Sequence, residues 1–196
     1  EEGIVSSAMV HYVDILPTLL DVIGQDYSAI DGRSFLAVLN EGQSHHRKFV
    51  FGIHTTNGIK HAVDNYPIRS IRSNRYKLIL NLNSTSAFRN NVVVENRGGY
   101  YDSWKLIDSP TAKRKYNHYQ IRPAVELYDI VEDPAEQDNL AGIESFDAIQ
   151  KDLTQRLRQW MSSQNDSGIE LERLADRSLH KARLVPDFKE PPILIE

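Results

Sequence analysis

The sequence predicts an α+β fold, in which one C-terminal helix packs on a small antiparallel β-sheet. Two segments indicate the sheet, because residues 67–82 and 124–130 alternate apolar and polar side chains as half-buried strands do. A third observation indicates the helix. Residues 145–163 place apolar side chains on one helical face, namely Ile149, Leu153, Leu157 and Trp160.

Residues 15–23 are predicted to form a short helix near the start of the chain. Asp14 is a residue type favoured at an N-cap, Pro17 falls in the first turn, and Gly24 suits the position after the last turn. The helix carries an apolar stripe formed by Leu16, Leu19, Leu20 and Ile23. We expect this stripe to need a larger partner surface than the small sheet provides.

The next segments are predicted from local composition. Residues 34–39 are expected to form a helical turn, and the almost wholly apolar residues 49–53 a buried strand. Residues 54–66 have no regular period and contain Gly58, which predicts a long loop. Residues 73–74 are expected to form the turn between two antiparallel strands.

The remaining segments carry weaker patterns. Residues 84–102 are polar and contain glycine, which predicts an excursion over the surface. Apolar residues in 104–119 are too sparse to predict a helix. Beyond residue 165 the chain is charged and ends in a proline-bearing stretch, so we expect residues 166–196 to form an extended tail.

Composition excludes several classes of site. The chain has 196 residues, a formal net charge of −4 and a pI of about 6.0, so no basic surface for nucleic acid is expected. It contains no cysteine, which excludes disulfides, thiolate metal ligands and a cysteine nucleophile. No apolar run reaches the roughly 18 residues of a membrane-spanning helix. Because it lacks an initial methionine, we expect the chain to be a piece of a longer protein.

Four segments, in this order, resemble the C-terminal half of the sulfatase family. They are VDILPTLLDVIG at 13–24, DGRSFLAVL at 31–39, PIRSIRSNRYKLILNL at 67–82 and ELYDIVEDPAEQDNLA at 126–141. Within the family, three further segments resemble the heparan N-sulfatase (sulfamidase) branch. These are FVFGIHTTNG at 49–58, NYPIRSIR at 65–72 and RPAVELYD at 122–129.

The resemblance implies a domain organisation. Sulfatases resemble alkaline phosphatase, with a large α/β domain followed by a small domain that has a four-stranded antiparallel sheet and a C-terminal helix. Residues 1–45 would hold the last helix of the large domain and its connection. Residues 46–165 would form the C-terminal subdomain, and residues 166–196 the tail.

The resemblance also implies a chemistry that this chain does not carry. In sulfatases the cysteine or serine of a C/S-x-P-x-R motif is oxidised to formylglycine, whose hydrated aldehyde attacks sulfur while calcium neutralises the sulfate oxygens. Ser109, followed by Pro110, comes nearest to the motif but lacks its spacing. We therefore expect both calcium and formylglycine in the full-length protein, held by residues outside this chain, and we expect the fragment alone to be inactive.

Other expectations follow from the same resemblance. The partners would be a sulfated sugar or glycosaminoglycan fragment and the missing N-terminal sulfatase domain. The location would be periplasmic or secreted, or lysosomal in a eukaryote.

Two residues are candidates for substrate binding. The resemblance places His54, after a buried strand, at the substrate-facing edge of the small domain; its alternative role is to cap the strand or bind loop backbone. Arg69 could hold a sulfate or carboxylate bidentately, or form a structural ion pair with Glu126 or Asp129. No catalytic residue and no metal ligand are expected in this chain.

Two other functions remain open at the level of sequence. The chain could be a stand-alone carbohydrate- or protein-binding module, although the apolar stripe of its first helix argues against a self-contained fold. It could also belong to a related phosphonate or phosphodiester hydrolase, which the motif upstream of Glu1 would distinguish.

Overall fold

The computed structural model describes residues 3, 5–55, 65–89 and 100–179. The helices within these residues are α1 (Ile15–Val22), α2 (Leu36–Glu41), α3 (Tyr100–Leu106), α4 (Pro110–Gln120), α5 (Asp147–Ser163) and α6 (Ile169–Leu179). The strands are β1 (Val50–His54), β2 (Ile68–Arg72), β3 (Tyr76–Asn81) and β4 (Val125–Asp129). Single 3-10 turns at Tyr12–Asp14 and Glu144–Phe146 precede α1 and α5.

The strands form one antiparallel sheet in the order β1-β2-β3-β4. The turn at residues 73–74 joins β2 to β3 as predicted, with the Ser73 N–H donating to Tyr76 O at 2.8 Å. Together with the helices, this sheet confirms the predicted α+β class. The fold also matches the small domain that the resemblance implies.

One face of the sheet is covered by α5, as the apolar period of that helix predicts. Leu153 and Leu157 are buried against Ile71 of β2, Leu78 of β3 and Leu127 of β4. Trp160, one turn further on, stacks its ring on that of Phe51 with centroids 4.6 Å apart. Burial of such side chains contributes on the order of 1.5–3 kcal/mol each, which makes this layer the main apolar core.

Helices α3 and α4, for which the sequence predicts no regular structure, pack against each other through aromatic rings. Tyr101 and Tyr116 are buried and stack with centroids 4.5 Å apart, and Trp104 and Tyr119 pack around them. Large rings bury much surface per residue, so few apolar positions suffice. A search for a regular aliphatic stripe overlooks such helices. Within the predicted surface excursion, residues 90–99 lie outside the described part of the chain.

The predicted first helix is confirmed as α1, but Asp14 has a different role from the one expected. Its carboxylate does not cap α1; instead it accepts hydrogen bonds from the backbone N–H groups of His11 and Arg33, each at 2.9 Å. It also forms an ion pair with Arg47 and contacts His46 Nε2 at 3.2 Å. Asp14 therefore ties α1 to the connection that leads into β1.

A glycine makes this close approach possible. Gly32 adopts φ +98°, and a Cβ there would lie 2.1 Å from Val13 O. Any side chain would both strain the backbone and clash with it. The glycine of the DGR segment is thus required for the next residue, Arg33, to reach Asp14.

The apolar stripe of α1 faces outward. Leu16 is 54% exposed, Leu19 59% and Ile23 66%, and Leu20 is half-buried. Neighbouring apolar residues on the same short helix are exposed as well, namely Ile15 and Val22. Several large apolar side chains exposed on one short helix are typical of a surface that another part of a protein covers.

The predicted extended tail is wrong for its first part, because residues 169–179 form α6. Gly168 adopts φ +67° and donates its N–H to Asp166 Oδ1 at 2.9 Å, which directs the chain into the helix. Glu170 and Glu172 lie in the first turn, where negative charge is favourable. The prolines that favoured an extended chain all lie beyond residue 179, outside the described residues.

Candidate substrate-binding surface

His54 and Arg69 lie at the same end of the sheet, as antiparallel pairing predicts. His54 ends β1 opposite Ile68, and Ile53 pairs with Arg69. The Arg69 Nη1 group donates to the His54 carbonyl oxygen at 3.2 Å. The side chains, however, occupy opposite faces, because direction alternates along a strand and His54 follows Ile53, which shares a face with its partner Arg69.

Arg69 is buried on the face that α5 covers, with only 1% of the residue exposed. Its guanidinium forms a two-point ion pair with Asp166 and lies 3.5 Å from Glu172 Oε1. Glu172 in turn accepts a hydrogen bond from Thr55 Oγ1. The guanidinium is enclosed by these carboxylates, which favours the second predicted role, a structural ion pair, over direct contact with a substrate anion.

The partners of that ion pair also differ from those predicted. Glu126 accepts bonds from Asn81 Nδ2 at 2.6 Å and the Tyr128 hydroxyl at 2.5 Å, and Asp129 pairs with Arg75 at 2.8 Å. Glu126 lies on the opposite face of the sheet from Arg69, and Asp129 at the opposite end. Because residues 166–172 were expected to be extended, no sequence pattern indicated that their carboxylates lie beside β2.

His54 has different surroundings. Its ring lies 5.5 Å from that of Phe88, and its Nε2 is buried with no hydrogen-bond partner. Burial first, and the positive charge of Arg122 second, lower the pKa of His54 below its ordinary value of 6.5. The imidazole is therefore neutral at pH 7. It can donate one hydrogen bond or accept one, depending on its tautomer.

Phe88 is the centre of a group that we call the Phe88 cluster, made of His54, Tyr66, Phe88, Tyr119 and Arg122. Phe88 is 3% exposed, and its ring lies 5.1 Å from that of Tyr66 and 5.7 Å from that of Tyr119. The Phe88 N–H donates to Gln120 O at 2.7 Å, which joins the segment after β3 to the end of α4. Burial raises the pKa of Tyr66 to about 12, so its phenol stays protonated.

Of this cluster, sequence reasoning singled out only His54, and Arg122 is the charged member that it missed. Its guanidinium carbon lies 3.9 Å from the centroid of the Phe88 ring and 5.1 Å from that of Tyr119. Its Nε–H donates to Tyr119 O at 3.3 Å. Phe88 and Arg122 are far apart along the chain, and no motif spacing links them; the one available signal was the RPAVELYD resemblance itself.

The chain does not fit the metal and the modified nucleophile that its resemblance implies. It has no cysteine and no serine in the S-x-P-x-R context. Among the residues described, no group of three or more histidine, aspartate or glutamate side chains is arranged to hold a metal ion. The side chains of this surface therefore offer no nucleophile of the sulfatase type.

In the described residues, no helix is long and apolar enough to cross a membrane.

Two curated proteins are similar to this chain over most of its length. An ulvan-active sulfatase from Formosa agariphila is 31% identical over 165 residues, which are 84% of this chain and 31% of that protein. The N-sulphoglucosamine sulphohydrolase of Homo sapiens is 27% identical over 192 residues, covering 85% of this chain and 35% of that protein. The chain thus spans about a third of the length of each.

Solved structures share the fold. BT4656, solved in complex with its substrate D-glucosamine-2-N,6-O-disulfate, superposes with a TM-score of 0.51 at 24% identity, over 80% of this chain and 24% of that one. BT1596, a 2-O GAG sulfatase, gives a TM-score of 0.51 at 20% identity, over 78% of this chain and 25% of that one.

No protein-family model matches the chain. The two solved structures nevertheless share its fold over 80% and 78% of this chain. Together the comparisons support the assignment of this chain to the sulfatase family, as a C-terminal part.

Proposed function

We propose that the full-length protein hydrolyses a sulfate group on a sulfated sugar, and that the N-sulfate of a glucosamine is its substrate. The observation that carries the hydrolase class is the similarity to an ulvan-active sulfatase over 84% of this chain. The finer proposal rests on the human relative, named for N-sulphoglucosamine, and on the sulfamidase-like segments at 49–58 and 122–129.

We also propose that the nucleophile and the metal site belong to a preceding domain. The support is the absence from this chain of a suitable cysteine or serine motif. The formylglycine and calcium expected for the family would then be held by that domain, and this chain would supply one wall of the substrate site. A periplasmic, secreted or lysosomal location would suit such an enzyme.

The exposed stripe of α1 is the surface that we assign to contact with the preceding domain. Leu16, Leu19 and Ile23 are each more than half exposed here. Covering them would remove a large apolar area from water, and each Å² of apolar surface buried stabilises a protein by roughly 25 cal/mol. The Asp14–Arg47 ion pair would hold this helix in a fixed relation to the small sheet.

Within the small domain, we propose His54 as a substrate contact and Arg69 as a positioning residue. A buried ring nitrogen without a partner is costly unless a ligand or water satisfies it, which supports a role for His54 in binding. Arg69 acts through the backbone, because it donates to the carbonyl oxygen of His54 and holds the end of β1.

The test uses the full-length protein and two substrates, N-sulfated glucosamine and 4-nitrocatechol sulfate. We expect His54→Ala to lower kcat/KM on the sugar by about 10- to 100-fold and on the aryl sulfate by less than about twofold, because contacts remote from sulfur act only when the sugar is present. This 196-residue chain alone is expected to hydrolyse neither.

The outcomes separate the alternatives. Equal losses on both substrates would place His54 at the sulfur atom or in folding, and no loss on either would leave it a structural residue. Cleavage of a phosphonate or phosphodiester in place of either sulfate would favour the related hydrolase class. Sugar binding without any hydrolysis by the full-length protein would favour a binding module.

A further inference from the structure

Arg122 differs in its partners from three other cations of this domain that are at least partly buried. Arg47 is paired with Asp14, Arg69 with Asp166, and Lys77 with Glu136. Within the described ranges, no carboxylate forms an ion pair with Arg122. Its charge is instead met by the faces of Phe88 and Tyr119, at 3.9 and 5.1 Å from the ring centroids.

This arrangement fixes the guanidinium while leaving its hydrogen-bonding capacity largely unused. Cation–π contacts orient the plane of the group, and Nε–H is taken by Tyr119 O. The N–H donors on the two terminal nitrogens are still available. Their fork geometry matches the oxygens of a carboxylate or sulfate. Arg122 is half-buried, so this fork is screened from water without being closed off.

A second polar group in the same cluster also lacks a partner. The Nε2 atom of His54 is buried without a hydrogen bond, and the His54 ring contacts the same Phe88 on which Arg122 stacks. The Arg122 guanidinium, which is charged, and the His54 ring, which is neutral, thus both lie beside Phe88 with hydrogen-bonding atoms unused. A sugar that carries an anionic group next to a hydroxyl or amide presents complementary atoms.

We infer that Arg122 and His54 together bind an anionic substituent of the sugar, a sulfate or a carboxylate, that is distinct from the sulfate being hydrolysed. Arg122 supplies the charge-assisted pair, and His54 bonds a neighbouring polar group of the sugar. This inference rests on the proposed function, in that it names the substrate as a sugar with a second anionic group. Arg122 is then a residue that determines specificity and takes no part in cleavage.

Direct binding is tested first by NMR on the 196-residue chain. The Arg122 Nε–H signal is assigned by its loss in Arg122→Met, and the chain is titrated with glucosamine 6-O-sulfate, glucuronate and uncharged N-acetylglucosamine. We expect a saturable shift of this signal with one or both anionic sugars and none with N-acetylglucosamine. The exposed Arg72, at the other end of β2, should not respond. No shift with either anionic sugar, or an equal shift with the uncharged one, would overturn the inference.

Kinetics on the full-length protein then separate the inference from the proposed function. The substrates are glucosamine N-sulfate, glucosamine 2-N,6-O-disulfate, a uronate-linked disaccharide of N-sulfated glucosamine, and 4-nitrocatechol sulfate. We expect Arg122→Met to lower kcat/KM by about 10- to 100-fold on a substrate with a second anion, the range expected for loss of a charge-assisted hydrogen bond. Glucosamine N-sulfate and the aryl sulfate should change by less than about threefold.

Two further variants serve as controls for this comparison. Arg122→Lys keeps the charge without the fork and should recover part of the loss, whereas the matched control Arg72→Met should resemble the unmodified protein on every substrate. Whichever of the disulfate and the disaccharide is more sensitive identifies the anion as sulfate or carboxylate. Uniform loss on all four substrates would overturn the inference. Absence of any sulfatase activity would overturn the proposed function, while the NMR titration would still decide on Arg122.

Discussion

At the scale of single residues, buried carboxylates join segments that lie far apart along the chain. Asp14 holds Arg47, 33 positions later, and Asp166 holds Arg69, 97 positions earlier. Glu126 is bonded to Asn81, 45 positions earlier. Each of these acids is paired or hydrogen-bonded, as a buried charge must be.

Removing the charge of Asp14 should destabilise the chain. Arg47 would keep its charge but lose its partner, and we expect Asp14→Asn to lower the free energy of unfolding by about 3–5 kcal/mol. Urea denaturation followed by circular dichroism measures the change. Asp31→Asn, at an exposed aspartate in the same region, is the control and should change the value by less than about 0.5 kcal/mol.

The double variant Asp14→Asn with Arg47→Met provides a second check. It removes both charges, so part of the lost stability should return. If Asp14→Asn alone were neutral, the ion pair would not be what ties α1 to the sheet.

Glu126 should make stability depend on pH in the acid range. Burial alone would raise the pKa of Glu126, but hydrogen bonds from His118, Tyr128 and Asn81 outweigh it and lower the pKa from 4.5 to about 2. A carboxyl whose folded pKa is lowered stabilises the fold above its unfolded pKa, and that contribution is lost as pH falls toward the folded value.

The measurement is the free energy of unfolding between pH 5 and pH 2. The unmodified chain should lose more stability over this window than Glu126→Gln, which has no carboxyl to protonate at this position. Glu144→Gln, an exposed glutamate, should follow the unmodified chain. If the free energies of unfolding of the chain and of Glu126→Gln changed in parallel with pH, the lowered pKa of Glu126 would be contradicted.

At the scale of elements, the two sides of the sheet are held by different means. Aliphatic side chains of α5 cover one side, whereas the other bears polar groups such as Asn81 and Glu126 and contacts α4 through His118 and Tyr119. Helix α6 adds a third contact, since its Glu172 closes over Arg69 and Thr55. The β1 end that carries His54 is therefore supported by residues from α6, which the sequence alone did not place there.

The aliphatic layer can be tested at its most buried position. Leu157 is fully buried between α5 and the sheet, so Leu157→Ala should cost about 2–5 kcal/mol through lost transfer energy and a new cavity. Urea denaturation gives the value. Gln155→Ala, at an exposed position on the same helix, tests whether the effect comes from helix propensity, and it should cost less than about 0.5 kcal/mol.

At the scale of the whole molecule, the outward apolar face of α1 is exposed to water. The small sheet is already covered by α5 on the side that accepts aliphatic groups. The α1 face therefore has no partner among the residues described. In the proposed arrangement, the preceding domain covers it.

Replacing Leu16 and Leu19 with lysine distinguishes a covered face from an open one. In this chain alone the double variant should leave the free energy of unfolding within about 0.5 kcal/mol, because both side chains are exposed. In the full-length protein it should cost about 3 kcal/mol or more, since each buried leucine contributes on the order of 1.5–3 kcal/mol. Thermal and urea unfolding of both proteins give the comparison.

The control is Val131→Lys, at an exposed apolar position outside α1. It should be tolerated in both proteins. Equal tolerance of the α1 variant in both would mean that the helix faces water in the full-length protein as well.

The sequence by itself carried the resemblance to sulfatases, and it determined the α+β class, the antiparallel hairpin and the α5 layer. These follow from local signals, because strand alternation, helical spacing and turn residues act over a few neighbouring positions. The shared edge of His54 and Arg69 was also within reach, since antiparallel pairing sets it. Only the tertiary structure decided that their side chains lie on opposite faces, that Arg69 is enclosed by Asp166 and Glu172, and that Arg122 stacks on Phe88. Those outcomes depend on which distant segments pack together, and the pairing of charges and rings across such distances leaves no period in the sequence.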